Sequence, residues 1–351
     1  MEPWKEILQK SITTPRELQN QLGCDFDLLQ DVIANFPMRI NPYFLNLIEY
    51  PGDPIWKQCV PNVLEVKDTI CIPDPLGEED LSPIPNLVHK YPNRVLFLVC
   101  SQCAMYCRFC TRKRKVGTNK MWISQSTLLD AYEYLKQHPE VSDVLISGGD
   151  PLLLEDDFLD DILCNLSGID SIKMIRIGTR IPSVLPMRIT ERLVKILKKY
   201  HPLYINTHFN HPKELTPQAK EACAKLSNAG IPLGCQSVLL RGVNDNIHVL
   251  KELFQSLLYM RVKPYYLFQS DLTRGVNHFR TSTKDGINIM KGLYGHLSGM
   301  AIPTFALDAP GGKGKIPLTP QFILESNNQT LTFKNYLGET CRYPEPVEID
   351  V

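Results

Sequence analysis

Apolar residues fall in short blocks along most of this chain, and longer amphipathic stretches separate the blocks. Val95-Leu96-Phe97-Leu98-Val99 is the first, a run of β-prone residues without a polar break, as in a strand buried on both faces. Blocks of the same texture follow at 143–146, 174–178, 203–208, 232–240 and 262–269. Between them, 125–137, 190–200, 217–230 and 249–260 carry apolar residues at helical spacing. Ser124 and Thr190-Glu191 supply helix-start signals for two of these. Six strand–helix units predict an α/β fold with a parallel sheet curved into a barrel. The spacing alone does not separate an open (β/α)6 form from a full eight-fold barrel. In either form ligands gather at the carboxyl ends of the strands.

The flanks have a different texture. Residues 1–90 read as helical and irregular, with many prolines between Pro51 and Pro92, and predict an N-terminal cap. The barrel is expected over 91–300, and a C-terminal extension over 301–351. The extension opens with a strand-like stretch at 301–307, passes through a glycine-rich loop, and ends in a hairpin at 322–343 turning at Asn327-Asn328.

Composition narrows the function classes. The 351 residues are 43% hydrophobic, enough for a sizeable core, and 38 basic residues balance 38 acidic ones. A neutral chain is not built mainly to grip nucleic acid. Met1-Glu2-Pro3-Trp4-Lys5-Glu6 lacks the basic-then-apolar layout of a signal peptide, and no apolar run approaches a bilayer span. A cytoplasmic protein with no membrane partner is expected.

Eleven cysteines in such a chain should be mostly reduced thiols. Cys24, Cys59, Cys71, Cys164, Cys223, Cys235 and Cys341 are dispersed and are expected as small buried hydrophobes. Cys103, Cys107 and Cys110 instead form Cys-x3-Cys-x2-Cys in the loop after the first strand. Four cysteines ordinarily hold a [4Fe–4S] cluster, so three leave one iron open to a cofactor or substrate. Cys100 could close the site as a fourth ligand, the group could bind structural zinc, or the thiols could simply be buried.

Two further motifs lie at strand ends. Ser147-Gly148-Gly149-Asp150-Pro151 is either an ordinary βα turn or a place where glycines open the backbone to a ligand's polar end. Asp308-Ala309-Pro310-Gly311-Gly312-Lys313-Gly314-Lys315 puts a lysine at the end of a mobile-looking loop, which suits an amine that exchanges with a Schiff base. It could equally be a surface or phosphate-binding loop, although Gly-Lys-Ser/Thr is absent. Arg112-Lys113-Arg114-Lys115 could be read as a nucleic-acid patch, against the neutral charge.

The cysteine spacing, with an aromatic residue before the second thiol, resembles the radical S-adenosylmethionine superfamily. Segments 103–114, 146–150, 177–186, 206–212, 236–245, 264–280 and 308–317 together resemble the lysine 2,3-aminomutases over nearly the whole chain. That resemblance implies a partial (β/α)6 TIM-like barrel and three cofactors: a [4Fe–4S] cluster on Cys103, Cys107 and Cys110, S-adenosylmethionine, and pyridoxal phosphate. It implies migration of the amino group of L-lysine to carbon 3 through a 5′-deoxyadenosyl radical, with an electron donor of the flavodoxin or ferredoxin type. Lys315 becomes the Schiff-base lysine, and Lys90 and Arg94 the phosphate cations. By the same resemblance, Gly148, Gly149, Asp150, Arg180, Asn206, His208, Asn210 and Gln236 are expected to surround S-adenosylmethionine. The resemblance likewise implies that Arg112 grips the substrate carboxylate, and Asp271 and Asp308 its side-chain ammonium.

Some positions depart from the family pattern. Phe109 replaces histidine, Phe268 replaces tyrosine, and Lys90 replaces arginine, which keeps charge but loses the fork. The chain ends at Val351 without the family's cysteine-bearing tail, and Asn246 stands where its partner cysteine would be. No intersubunit zinc and a dimer in place of a tetramer are therefore expected. Lys90 and Phe109 also resemble the branch that makes β-lysine for elongation factor P. An aminomutase for another amino acid, and a non-catalytic iron–sulfur redox or assembly protein, are the other readings.

Overall fold

The computed structural model describes residues 2–22 and 29–346. Cys24 lies outside the described residues. Nine strands form one sheet, each paired with the next in chain order: β1 Leu87–Tyr91, β2 Arg94–Cys100, β3 Asp143–Gly148, β4 Met174–Gly178, β5 Leu203–Thr207, β6 Leu233–Leu239, β7 Val262–Gln269, β8 Thr304–Asp308 and β9 Lys315–Pro317. β2 to β8 run parallel, while β1 and β9 are antiparallel edges. β1 and β9 do not pair with each other, so the barrel is open.

Helices at Gln125–Gln137, Asp156–Ser167, Glu191–Leu197, Pro217–Asn228, Ile247–Tyr259 and Thr283–Leu293 connect β2 through β8. This is the expected (β/α)6 plan with β8 as a further parallel strand. Ser124 caps the first of these helices by accepting from Thr127 N, and Thr190 caps the third by accepting from Leu193 N. The helices at 156–167 and 283–293 were not singled out from the pattern. The first is amphipathic and buries Leu159, Ile162, Leu163 and Leu166 against the sheet.

Burial along the strands alternates in a telling way. In β4 the residues Ile175 and Ile177 are buried under the helices, while Met174, Arg176 and Gly178 face a half-open lumen. In β6, Gly234, Gln236 and Val238 do the same. A closed barrel fills its interior with branched side chains; this one keeps space there.

Short helices at Pro3–Gln9, Pro15–Leu22, Gln30–Asn35, Pro42–Leu45 and Pro54–Cys59 make up the N-terminal region. Their Trp4, Leu18, Val32, Phe44 and Ile55 join one continuous core with the barrel. β1 straddles residue 90, where the cap was expected to end. At the other end, the expected hairpin is a three-stranded antiparallel meander: β10 Ile323–Ser326, β11 Thr330–Lys334 and β12 Thr340–Pro344. Asn327 makes the first turn by accepting from Gln329 N and Thr330 N, and Asn335 makes a second that the pattern did not suggest.

Cys59, Cys71, Cys223 and Cys235 are buried as expected, but Cys164 is exposed and Cys341 only half-buried. Those two sit on a helix and an edge strand whose outer faces meet solvent. Among the described residues no helix is long and apolar enough to cross a membrane.

Candidate active site in the barrel mouth

A cavity of about 630 Å3 opens at the carboxyl ends of the strands and continues into the lumen. Its wall includes Cys103, Cys107, Cys110, Gly148, Gly149, Asp150, Arg180, Asn206, His208, Gln236, Lys90, Arg94, Arg112, Asp271, Asp308 and Lys315. Of the expected site residues, only Asn210 does not reach it.

The three thiols sit in a loop without regular structure, so something else must hold it. The N-terminal region does. Arg39 donates to Cys103 O at 3.2 Å and its own carbonyl accepts from Tyr106 N at 3.0 Å, while Asn41 Nδ2 donates to Ala104 O at 3.1 Å. Behind the loop, the buried carboxylate of Glu65 binds both Arg108 and Lys113. The loop is thus pinned by backbone and charge rather than by a sheet ladder.

Cys100 does not join the group. It is 6% exposed, lies off the cavity wall, and its Sγ is engaged with the backbone of Gln102. Among the described residues no three metal-ligating side chains converge as ligands of a single ion would. Three thiols along one wall, with the fourth turned away, fit a three-point hold on a larger cluster. Burial pushes Cys110 up to about 11 and Cys103 well above the thiol range. Coordination to iron would reverse that by taking the thiolate.

The glycines of 147–151 have a structural reason that spacing did not reveal. Gly148 adopts φ +131°, and a Cβ there would lie 2.2 Å from Cys100 O; one on Gly149 would lie 2.2 Å from Gln102 O. The two loops are packed backbone to backbone, with Asp150 N donating to Gln102 O at 2.7 Å. Asp150 itself is spent on the protein. Its carboxylate accepts from Leu152 N, Thr179 Oγ1 and Arg180 N. It positions the loop, and its side chain is not a free ligand contact.

Arg180 crosses beneath the thiols. Its Nη1 donates to Cys107 Sγ at 2.8 Å, and its Nη2 to Gln58 Oε1 at 2.6 Å and Glu214 Oε2 at 3.1 Å. Its Nε is buried without a partner, an unused donor beside the thiols that suits a bound acceptor. Glu214, fully buried, also accepts from Gln58, Ser183 and the backbone N–H groups of Asn210 and His211. Asn210 belongs to this network: it donates to Gln58 Oε1 and accepts from Val238 N, and so stands behind His208 rather than in the cavity. Burial, then the Arg180 cation, lowers His208 to about 3, which keeps its ring neutral beside Phe109 at 5.5 Å. Gln236 accepts from Tyr265 Oη at 3.2 Å. The polar wall with its orphaned arginine donor fits S-adenosylmethionine.

The other end of the cavity is a cluster of opposite charges. Lys315 Nζ lies 3.1 Å from both carboxylate oxygens of Asp308 and 5.3 Å from the Phe268 ring. Lys90 Nζ also reaches Asp308, at 3.4 Å, so it is not simply a second phosphate cation beside Arg94. Arg94 stacks on Tyr91 at 4.0 Å. Asp271 is pushed up to about 7, by burial first and then by Asp308. An amine, two further cations and an aromatic face suit an aldehyde cofactor carrying a phosphate. The donor set fits pyridoxal phosphate.

Arg112 holds a surprise. Its Nε and Nη2 grip Glu78 at 2.9 and 2.7 Å, and the carboxylate raises its pKa against the opposing pull of burial. Glu78 was missed from sequence. The available signal was the acidic run Glu78-Glu79-Asp80 set against the basic run 112–115; Arg114 and Lys115 pair with Asp74 and Glu79.

Comparison with known proteins decides the family. Residues 97–253 match the radical SAM superfamily, and 290–350 match the model described as lysine-2,3-aminomutase. The L-lysine 2,3-aminomutase of Methanococcus maripaludis is 47% identical over 98% of this chain and 81% of that protein. The chain belongs to the lysine 2,3-aminomutase family. Another member, from Clostridium subterminale, is 45% identical over 98% of this chain and 84% of its own length. The family neighbourhood also holds a glutamate 2,3-aminomutase, from Clostridioides difficile, 42% identical over 93% of this chain and 78% of that one.

Proposed function

We propose that the protein is an L-lysine 2,3-aminomutase, moving the α-amino group of L-lysine to carbon 3 to give β-lysine. The observation that carries this is one cavity with three open-sided thiols, an arginine with a free edge, and a half-buried carboxylate pair beside a lysine. When bound, the cluster and S-adenosylmethionine supply a hydrogen-abstracting carbon radical, and pyridoxal phosphate supplies a carbonyl for the amino group and a ring that spreads unpaired spin.

The chain's own residues do the positioning. Cys103, Cys107 and Cys110 hold the cluster, and Arg180 steadies the charge on Cys107. Arg180, Asn206, His208 and Gln236 line the S-adenosylmethionine side with Gly148 and Gly149, while Asp150 and Asn210 brace that wall from behind. Lys90 and Arg94 attract the phosphate, and Lys315 Nζ, which donates to Asp308, provides the exchangeable amine. Arg112 takes the α-carboxylate, which fixes one end of lysine and so the placement of carbon 3. Asp271 and Asp308 take the side-chain ammonium at the other end. An acidic side chain would meet repulsion there, which favours lysine over glutamate. A flavodoxin- or ferredoxin-type donor, a cytoplasmic setting, a homodimer, and a cap, barrel and extension divided near residues 90 and 300 complete the reading.

The test is anaerobic reconstitution with iron, sulfide, pyridoxal phosphate, S-adenosylmethionine, reductant and L-lysine. β-Lysine is the expected product. Deoxyadenosine without β-lysine moves the assignment to another amino acid, and neither product favours a non-catalytic iron–sulfur protein. Full lysine turnover by an Asp308→Asn variant would remove lysine as the substrate.

A further inference from the structure

Glu78 takes no part in the reaction as described above, yet it is 5% exposed and sits on the cavity wall in a side-on ion pair with Arg112. A guanidinium has five N–H bonds. Glu78 engages the Nε side: Nε–H donates to both carboxylate oxygens, at 2.9 and 3.1 Å, and Nη2 lies 2.7 Å from Oε1 as an ion pair. The end-on edge, Nη1–H with the second Nη2–H, has no partner among the described residues. That edge has the spacing of a second carboxylate fork. Without Glu78, Arg112 is a long flexible side chain in an open cavity; with it, one edge is fixed and the other is presented.

The segment that carries Glu78 also touches the lysine loop. Gly311 N donates to Pro75 O at 2.8 Å, and a Cβ on Gly312 would lie 2.8 Å from Leu76 O and 2.3 Å from Leu81. On its other side, Asp74 and Glu79 pair with Arg114 and Lys115 just past the cluster cysteines. One strap therefore lies against both the carboxylate grip and the loop of Lys315.

We propose that Glu78 is a positioning residue that orients Arg112 so that its free edge receives the α-carboxylate of the amino-acid substrate. This rests on the assignment of Arg112 to that carboxylate. Two effects oppose each other: Glu78 fixes the fork, but its charge also repels the incoming carboxylate. In a buried site, where a misdirected fork loses both hydrogen bonds, positioning dominates.

The experiment is calorimetric titration of the reconstituted protein, without S-adenosylmethionine, with L-lysine and with L-lysinamide, which lacks the carboxylate. Wild type should prefer lysine. Glu78→Gln should weaken lysine about tenfold and leave lysinamide within about twofold. Glu78→Asp, with the charge but a shorter reach, should fall between them, and thermal melts check that both variants fold. Unchanged or tighter lysine binding by Glu78→Gln overturns the proposal and makes Glu78 a bystander or a competitor. Equal loss of both ligands also overturns it, leaving the strap a purely structural role. Wild type that binds lysine and lysinamide alike overturns the reading of Arg112 itself, and the proposal with it.

Discussion

Around Arg180 the cavity wall is packed and hydrogen-bonded almost to completion: Glu214 and Asn210 are wholly buried, and the arginine side chain is 9% exposed. Around Lys315 the side chain is 34% exposed, its strand is exposed throughout, and one carboxylate serves two lysines. Both ends handle charge, but they are built for different tasks. The first holds fixed groups beside a cluster, where any displacement shifts the radical's target. The second, under the role proposed for Lys315, has to let an amine leave its partner and return, and it is made of glycines and a shared ion pair. Rigidity here follows what must stay and looseness follows what must move.

The largest effect should separate the two ends by stability alone. Glu214→Gln leaves the Arg180 charge buried without its counterion and should cost about 3–5 kcal/mol in urea unfolding. Lys315→Ala should change the same measurement by less than about 0.5 kcal/mol, because its ion pair is solvent-screened and Lys90 still serves Asp308. Equal losses would erase the contrast.

Glycines sharpen it further. Gly148→Ala pushes a Cβ into Cys100 O at a backbone angle that side chains avoid, and should lose more than about 2 kcal/mol together with iron content. Gly311 has φ +71° but nothing within 4 Å of its missing Cβ. Gly311→Ala should cost only about 1 kcal/mol in the same unfolding experiment.

The loose end should also carry a pH dependence. An unfolded aspartate ionises near about 4, and folded Asp271 near about 7. Between those values the folded chain keeps a proton that the unfolded chain has lost, so this group makes stability fall as pH rises through that window. Lysine binding runs the other way, since an ammonium needs the ionised carboxylate. kcat/KM for lysine should rise up to about tenfold per pH unit below about 7 and then level off. Asp271→Asn should flatten that limb; a limb that persists in the variant assigns it to another group.

The barrel was legible because its strands are apolar runs and four of its six connecting helices show helical spacing, two of them with start signals. The cysteine loop and the lysine loop were legible from motifs whose residues lie within a few positions of one another, whereas Asp271 and Asp308, far apart in the chain, came only from the family resemblance. Gln58, Glu65, Glu78 and Glu214 were not. Each acts on an arginine or lysine 30 or more residues away, as Glu78 does on Arg112 and Gln58 on Arg180. No local period or spacing encodes such a meeting. Asp150 and Asn210 show the converse: both stand in recognisable motifs, but tertiary partners consume their polar atoms. The helix at 283–293 is weakened as a pattern by Gly286, yet Phe305 fills the space that a side chain there would need.

The open seam of the barrel has a consequence of its own. Between β1 and β9 no ladder runs; β1 is tied across the gap by Lys90 to Asp308 at the end of β8 and by Tyr91 Oη, which accepts from Lys315 N of β9 at 3.1 Å. Each such stitch is worth only about 0.5–1.5 kcal/mol net, so parting the wall there needs no sheet to be torn. Added salt weakens the ionic stitch and leaves the backbone ladders elsewhere intact. The wall beside Lys315 is therefore closed by side chains where the rest of the barrel is closed by ladders, and one of its two ties is sensitive to ionic strength.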